Sequence, residues 1–277
     1  LDEPFADPAC LPLWQLAREA TRHVKVVLSG DGGDELFAGY KRYAAHLRTR
    51  WRRHLRIGRR MPPRLPQPKP SRIADELAID WRDAYALRFS GFSPAERAAL
   101  QPSRSIPPTH WRQAWRCVSA LETLIAIDFA NYLPDYALRK GDLCTMAHGL
   151  EQRVPLLDYR VVEAVVAMNP ADRFTRPPKL ALRSLCPQLD GALYDPFHAP
   201  KRGFNPPVGR WMDEIAPRLA RIGAQVEQAT CGQIDAAAAQ SFADGYRAGD
   251  RAREERVLQL LLLAESLASI AASARSG

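Results

Sequence analysis

The stretch Val24-Lys25-Val26-Val27-Leu28-Ser29-Gly30-Asp31-Gly32-Gly33-Asp34-Glu35-Leu36-Phe37 decides the fold class. Its first five residues form a short, β-branched apolar run suited to a strand buried inside a parallel sheet. Ser29 to Gly33 then make a glycine-rich turn, and the spacing predicts a helix over Asp34 to Leu47. Upstream, Leu13, Leu16, Ala17 and Ala20 line one face of a helix predicted over Leu13 to His23. Helix, strand, glycine loop and helix in that order imply an α/β domain that binds its ligand at the carboxyl end of a parallel strand.

The loop has a chemistry of its own. Glycine lets the backbone take positive φ and come close to a ligand. Backbone N–H groups at such a turn attract phosphate, whereas the acids Asp31, Asp34 and Glu35 repel it unless a divalent cation lies between. Mg²⁺ suits that arrangement, because one or two carboxylates hold it while substrate phosphates complete its shell, a role open to Asp31 or Asp34. The competing reading is a tight turn with Asp34 as the helix cap.

Outward from the loop the pattern is mostly helical, with helices expected over Trp81 to Arg88, Pro94 to Leu100, Ser119 to Tyr132, part of Asp135 to Gly149, Val161 to Met168 and Lys179 to Cys186. Few strands are evident there. Closing amphipathic helices are expected over Arg210 to Ile222 and Arg251 to Ala274, separated by an Ala-rich stretch of low information. Two more clusters stand out. Lys140 to Asp158 sets charges among apolar residues, and a structural salt bridge from Glu151 or Asp158 to Arg153 is its plainest reading. Ala199 to Val208 flanks Lys201-Arg202 with Gly and Pro, a stiff loop able to hold Lys201 over an anion.

Composition narrows the class. The 277 residues are 46% hydrophobic and 25% charged, ordinary for a globular chain. Ten Lys or Arg and no acid fall between Arg48 and Arg72, so the +8 net charge belongs to one basic, proline-rich segment, read as a helix end plus linker. No base-reading or stacking module accompanies it, which argues against nucleic acid as a partner. Five scattered cysteines without a C-x-x-C pair indicate neither a disulfide framework nor a zinc site, and a cytoplasmic location follows as the default. The most apolar run, Val257 to Ala264, contains Gln259 and ends at Glu265, so no membrane span is expected. The first residue is Leu1, without an initiator Met, and the chain is expected to begin inside a longer polypeptide.

The string Ser29 to Tyr40, S-G-D-G-G-D-E-L-F-A-G-Y, closely resembles the synthetase domain of glutamine-dependent asparagine synthetases. Glu3 to Pro8 is similar to that family's E-P-F-x-D-P segment, Met146 to Asp158 to M-A-H-G-L-E-x-R-V-P-L-L-D, and Pro200 to Pro207 to P-K-R-G-F-x-x-P. The resemblance runs through about Trp211. It implies a partial parallel sheet of the adenine nucleotide alpha hydrolase-like, PP-loop type followed by a mostly helical C-terminal region. It also implies a C-terminal part of the synthetase domain over 1–222, with the basic linker 48–72 inside it, and a helical tail over 223–277.

The implied activity is ATP-dependent activation of the aspartate side-chain carboxylate to β-aspartyl-AMP, then amidation by ammonia from glutamine. Carried over by position, Ser29 and Gly30 contact the nucleotide, Asp31 supports formation of the intermediate, and Asp34 is a Mg²⁺ ligand. Glu151 is the active-site glutamate with Arg153 beside it, and Lys201 stabilises charge on the phosphate or tetrahedral intermediate. Two departures stand against the match. The glutaminase domain and the S-G-G-x-D-S pyrophosphate loop are missing, so this chain alone is expected to be inactive. Leu143 also follows Asp142 where the family commonly has Arg or Lys. Other readings are a related amidotransferase acting on a different carboxylate, and a non-catalytic module using the basic segment. The sequence leaves a homodimer open.

Overall fold

The structure is a computed structural model that describes residues 3–54, 79–104, 111, 117, 119–185 and 206–276. The chain divides into two compact units: Pro12–Arg50 with Trp111–Phe204, and Leu1–Leu11 with Trp51–His110 and Asn205–Gly277.

The first unit holds the glycine loop. Its strand β1, Val26–Leu28, pairs in parallel with β2, Glu151–Arg153, in the register Val26 to Glu151, Val27 to Gln152 and Leu28 to Arg153. This two-stranded parallel sheet among helices is the observed α/β element. Among the described residues β2 is the one strand beyond the linker, in keeping with the expectation of few strands there. Its three residues lack β-branched or alternating apolar character, and the pairing to β1 is what holds them extended: Glu151 N–H donates to Lys25 O (3.0 Å), and Ser29 N–H donates to Arg153 O (2.9 Å).

The helix expected over Asp34 to Leu47 is interrupted. Gly33–Leu36 forms one turn, Ala38 takes φ 52°, and the helix restarts at Lys41–His54. The left-handed residue breaks the repeat, and Gly39 N–H closes the turn on Asp34 O at 2.8 Å. Gly32, at φ 90°, occupies the cap position, so the reading of Asp34 as a helix cap is corrected. A Cβ on Gly32 would also lie 2.3 Å from a methyl carbon of Leu157. Leu36 and Phe37 bury against Val165, packed by Phe129, Leu156 and Val162, and this anchors the loop to the helix Tyr159–Val166.

One winding runs from Ala120 to Met146. It is α over Ala120–Ile127, π over Asp128–Leu138 with Pro134 inside, and α again over Arg139–Met146. The capping box of Ser119 and Glu122 starts it, as S-x-x-E spacing requires. Proline removes one backbone donor from the ladder, and the wider π-turn falls on the same segment.

In the second unit the Ala-rich stretch proves to be core-forming, which corrects its reading as uninformative. Ile222–Ala229 and Ala236–Arg247 pack with the closing helix Glu254–Ser276 around Leu219, Ile222, Val226, Phe242, Val257 and Leu260. Ala239 and Ala243 are wholly buried, and small side chains are what let helices approach closely. Residues on both sides of position 222 therefore share one core. By length and composition Arg251–Ala274 is long and apolar enough to cross a bilayer, unlike the sequence expectation. Here Val257, Leu260, Leu261 and Ala264 of that helix are buried in the core of the unit.

Among the described residues no disulfide joins Cys10, Cys117, Cys144 or Cys231.

Candidate active site

The site grows from the carboxyl end of β1. Ser29 Oγ donates to Asp31 Oδ2 at 2.7 Å, and the Gln152 amide donates to both Ser29 Oγ (3.0 Å) and Asp31 Oδ2 (2.9 Å). Side chains alternate across a strand, so Gln152 leaves β2 on one face and Glu151 and Arg153 on the other. The latter two form an exposed ion pair, Arg153 Nε to Glu151 Oε1 at 2.8 Å, with about half or more of each side chain open to solvent. That is the salt bridge expected from the sequence. The alternative acid, Asp158, instead caps Tyr159–Val166 and pairs with Arg160 at 2.9 Å.

Asp34 lies one turn along. Its Oδ1 is 2.7 Å from Lys179 Nζ, and both side chains are mostly covered. Gly39 makes the pair possible, because a Cβ there would fall 2.0 Å from Asp34 Oδ1 and 2.5 Å from Lys179 Cε. A Cβ on Gly30 would by contrast meet nothing within 4 Å. Among the described residues nothing demands glycine at 30.

Beneath the loop lies a buried polar layer. Glu35 is 1% exposed and accepts a bond from Tyr40 Oη at 2.8 Å. Burial pushes its carboxyl above the ordinary glutamate value, and the Asp128 and Asp34 charges add to the shift while the Tyr40 bond opposes it. Asp128, fully buried, accepts from Arg42 Nη2 (2.7 Å) and Tyr43 Oη (2.6 Å). The Arg42 guanidinium lies 3.4 Å from the Tyr40 ring centre and 4.3 Å from that of Tyr132, within cation–π range of both. Arg173 Nε, also buried, donates to Leu36 O at 2.8 Å and ties down the end of the loop's helical turn.

The structure thus joins Ser29 to Asp31, pairs Glu151 with Arg153, and gives Asp34 a cationic partner. No hydrogen bond links Glu151 to Asp31 among the described residues. Lys201 lies outside the described residues, as do most of the basic segment beyond His54 and the P-K-R-G-F part of its string. Sequence reasoning missed Gln152, Lys179, Arg42, Asp128 and Arg173. Gln152 alone had a local signal, its place between two residues already chosen.

A loop of this composition, set at the end of a parallel strand and clamped from a second strand that carries G-L-E-Q-R-V-P, is matched by a family-wide profile. The asparagine synthase profile covers residues 1–272. The chain belongs to the asparagine synthase family. A Mycobacterium bovis protein provisionally named asparagine synthetase [glutamine-hydrolyzing] is 32% identical over 279 residues, covering 95% of this chain and 42% of the relative. Asparagine synthetase [glutamine-hydrolyzing] 1 of Bacillus subtilis is 29% identical over 229 residues, 76% of this chain and 35% of that protein. The chain therefore spans about two-fifths of the length of these relatives. No solved structure matches it.

In this member of the asparagine synthase family, the fit of a metal turns on Asp34. Asp34 already holds a positive charge, the Lys179 ammonium, at a carboxylate oxygen. Among the described residues no cluster of three or more acidic, His or Cys ligands exists, so any Mg²⁺ here would take most of its shell from substrate phosphates and water.

Proposed function

We propose that this chain is the C-terminal part of the synthetase portion of a glutamine-dependent asparagine synthetase, a carbon–nitrogen ligase of the cytoplasm. The observation that carries the reading is the loop itself. Gly30 is open to a ligand while Asp31 and Asp34 flank it, one held by neutral donors and the other by a cation.

In the proposed reaction an oxygen of the aspartate side-chain carboxylate attacks the α-phosphorus of ATP, and the bond to pyrophosphate breaks. Ammonia derived from glutamine then attacks the activated carbonyl, loses a proton and expels AMP. Ser29 and the open backbone at Gly30 line the nucleotide. Asp31 orients the reacting centre, and Glu151 is available to take the proton once Arg153 turns aside. Lys201, and Lys179 released from Asp34, neutralise phosphate oxygens. A Mg²⁺ ion held by Asp34 would supply further charge neutralisation. Such a site works mainly by alignment and charge compensation, since the transferred groups are crowded with negative oxygens. The wider reading takes 1–222 as the synthetase portion, of the PP-loop sheet type, with 223–277 as a helical continuation that packs into the same core. The proposal leaves the glutaminase function and the pyrophosphate loop to residues outside these 277, a reading supported by the chain covering 42% of the relative's length.

The test uses the complete natural polypeptide, with aspartate, ATP, Mg²⁺ and glutamine. Asp31→Ala and Asp34→Ala are each expected to lower aspartate-dependent pyrophosphate release at least tenfold and to abolish asparagine formation. Unchanged pyrophosphate release in both variants would refute the assignment. Product formation from another carboxylate, with none from aspartate, would identify the related amidotransferase instead.

A further inference from the structure

Position 152 is unspecified in the string that carries the family resemblance, and here it is the centre of a closed hydrogen-bond triangle. A primary amide has two N–H groups, and they match the two acceptors they face, the Ser29 hydroxyl oxygen at 3.0 Å and Asp31 Oδ2 at 2.9 Å. Ser29 spends its own proton on the same Oδ2 at 2.7 Å. Both donors reach one oxygen of Asp31, and Oδ1 takes no bond from the described residues. The carboxylate is therefore held through one oxygen. The clamp is neutral, so it leaves the charge of Asp31 in place, in contrast to the ammonium that compensates Asp34.

The same amide explains a glycine in the middle of a helix. Gly141 lies buried within Arg139–Met146, where glycine is unfavourable. A Cβ there would stand 2.7 Å from both Gln152 Nε2 and Oε1 and 3.0 Å from Cδ. Helix backbone yields less readily than a side-chain amide, so any side chain at 141 pushes Gln152 off Ser29 and Asp31. Residues from three separate elements converge on this one group: the end of β1, the face of β2 opposite Glu151, and the helix at Gly141.

We propose that Gln152 is a positioning residue for the activation step, holding Asp31 and Ser29 as one rigid unit, and that Gly141 serves to admit its amide. This rests on the ATP-dependent reading above.

In the complete protein, Gln152→Ala and Gly141→Ala are each expected to lower kcat for aspartate-dependent pyrophosphate release by 10- to 100-fold, the scale of an ångström-level misplacement. The KM for ATP should rise by less than kcat falls, because Ser29 keeps its own bond to Asp31 and the backbone at Gly30 is untouched. The double variant should be no slower than Gln152→Ala alone, since once the amide is gone a methyl at 141 has nothing to displace. Singles within twofold of the parent while Asp31→Ala abolishes release would overturn the positioning role and leave the functional reading standing. An inert Asp31→Ala would bring down both. A double variant slowed by the product of the two single effects would overturn the coupling to Gly141. If Gln152→Ala does not fold, Gly141→Ala decides alone, because it keeps Gln152 in the chain and moves only its amide.

Discussion

Removing the Asp128 carboxylate should loosen the floor of the loop without unfolding the chain, and the size of the effect can be worked from its contacts. Asp128 is wholly buried and accepts from Arg42 at 2.7 Å and Tyr43 at 2.6 Å. Asp128→Ala leaves a mostly covered guanidinium and a buried phenol without that acceptor. Losing one partner of a buried pair costs about 3–5 kcal/mol. Arg42 keeps the Tyr40 and Tyr132 rings and is 19% exposed, which places the expectation at the lower end, about 3 kcal/mol. At about 1.4 kcal/mol per tenfold, amide exchange in peptides from 41–49 and 128–138 should accelerate roughly a hundredfold when read by mass spectrometry. The double variant Arg42→Met with Asp128→Leu removes both charges and should lose less protection than Asp128→Ala, since apolar replacement of a buried pair is often neutral. Protection unchanged within threefold in Asp128→Ala, or a double variant worse than either single, would refute the reasoning.

Three further outcomes follow from the same layer and loop. Because burial raises the Glu35 pKa, the folded chain keeps this proton to higher pH than the unfolded chain does. Its contribution is full below the unfolded value, falls as pH rises through the folded one, and Gln has no such slope. Glu35→Gln, which keeps an acceptor for Tyr40, should therefore gain in melting temperature relative to the parent as pH rises above the ordinary glutamate range, and a pH-independent difference would contradict this. Gly32→Ala meets Leu157 and a φ of 90°, so about 1–3 kcal/mol of stability should be lost in denaturant titration. Gly30→Ala should leave stability within about 0.5 kcal/mol but weaken ATP use in the complete protein. Equal stability losses at the two glycines would remove the argument that Gly30 faces a ligand.

Local patterns were legible where the physics is local. The strand at Val26–Leu28 and the glycine turn are each encoded within a few residues. The break at Ala38 was not, because Ala carries no signal for a left-handed conformation and the turn depends on Gly39 closing on Asp34. Nor was β2, three polar residues that are a strand only because β1 is beside them. The Ala-rich helices looked uninformative for a related reason. A small side chain makes no periodic apolar signal of its own, yet it is what lets two helices pack closely.

By itself, then, the sequence determined the α/β class and, through its strings, the family. Only the tertiary structure decided which partner each acid has. Asp31 meets Gln152 across 121 residues, Arg42 meets Asp128 across 86, and Asp34 meets Lys179 from a distant turn. A side chain's local sequence sets its charge and reach within a turn or a strand pair. What it touches beyond that depends on how distant elements register against one another, and the parallel pairing of Val27 with Gln152 brings the amide to the end of β1.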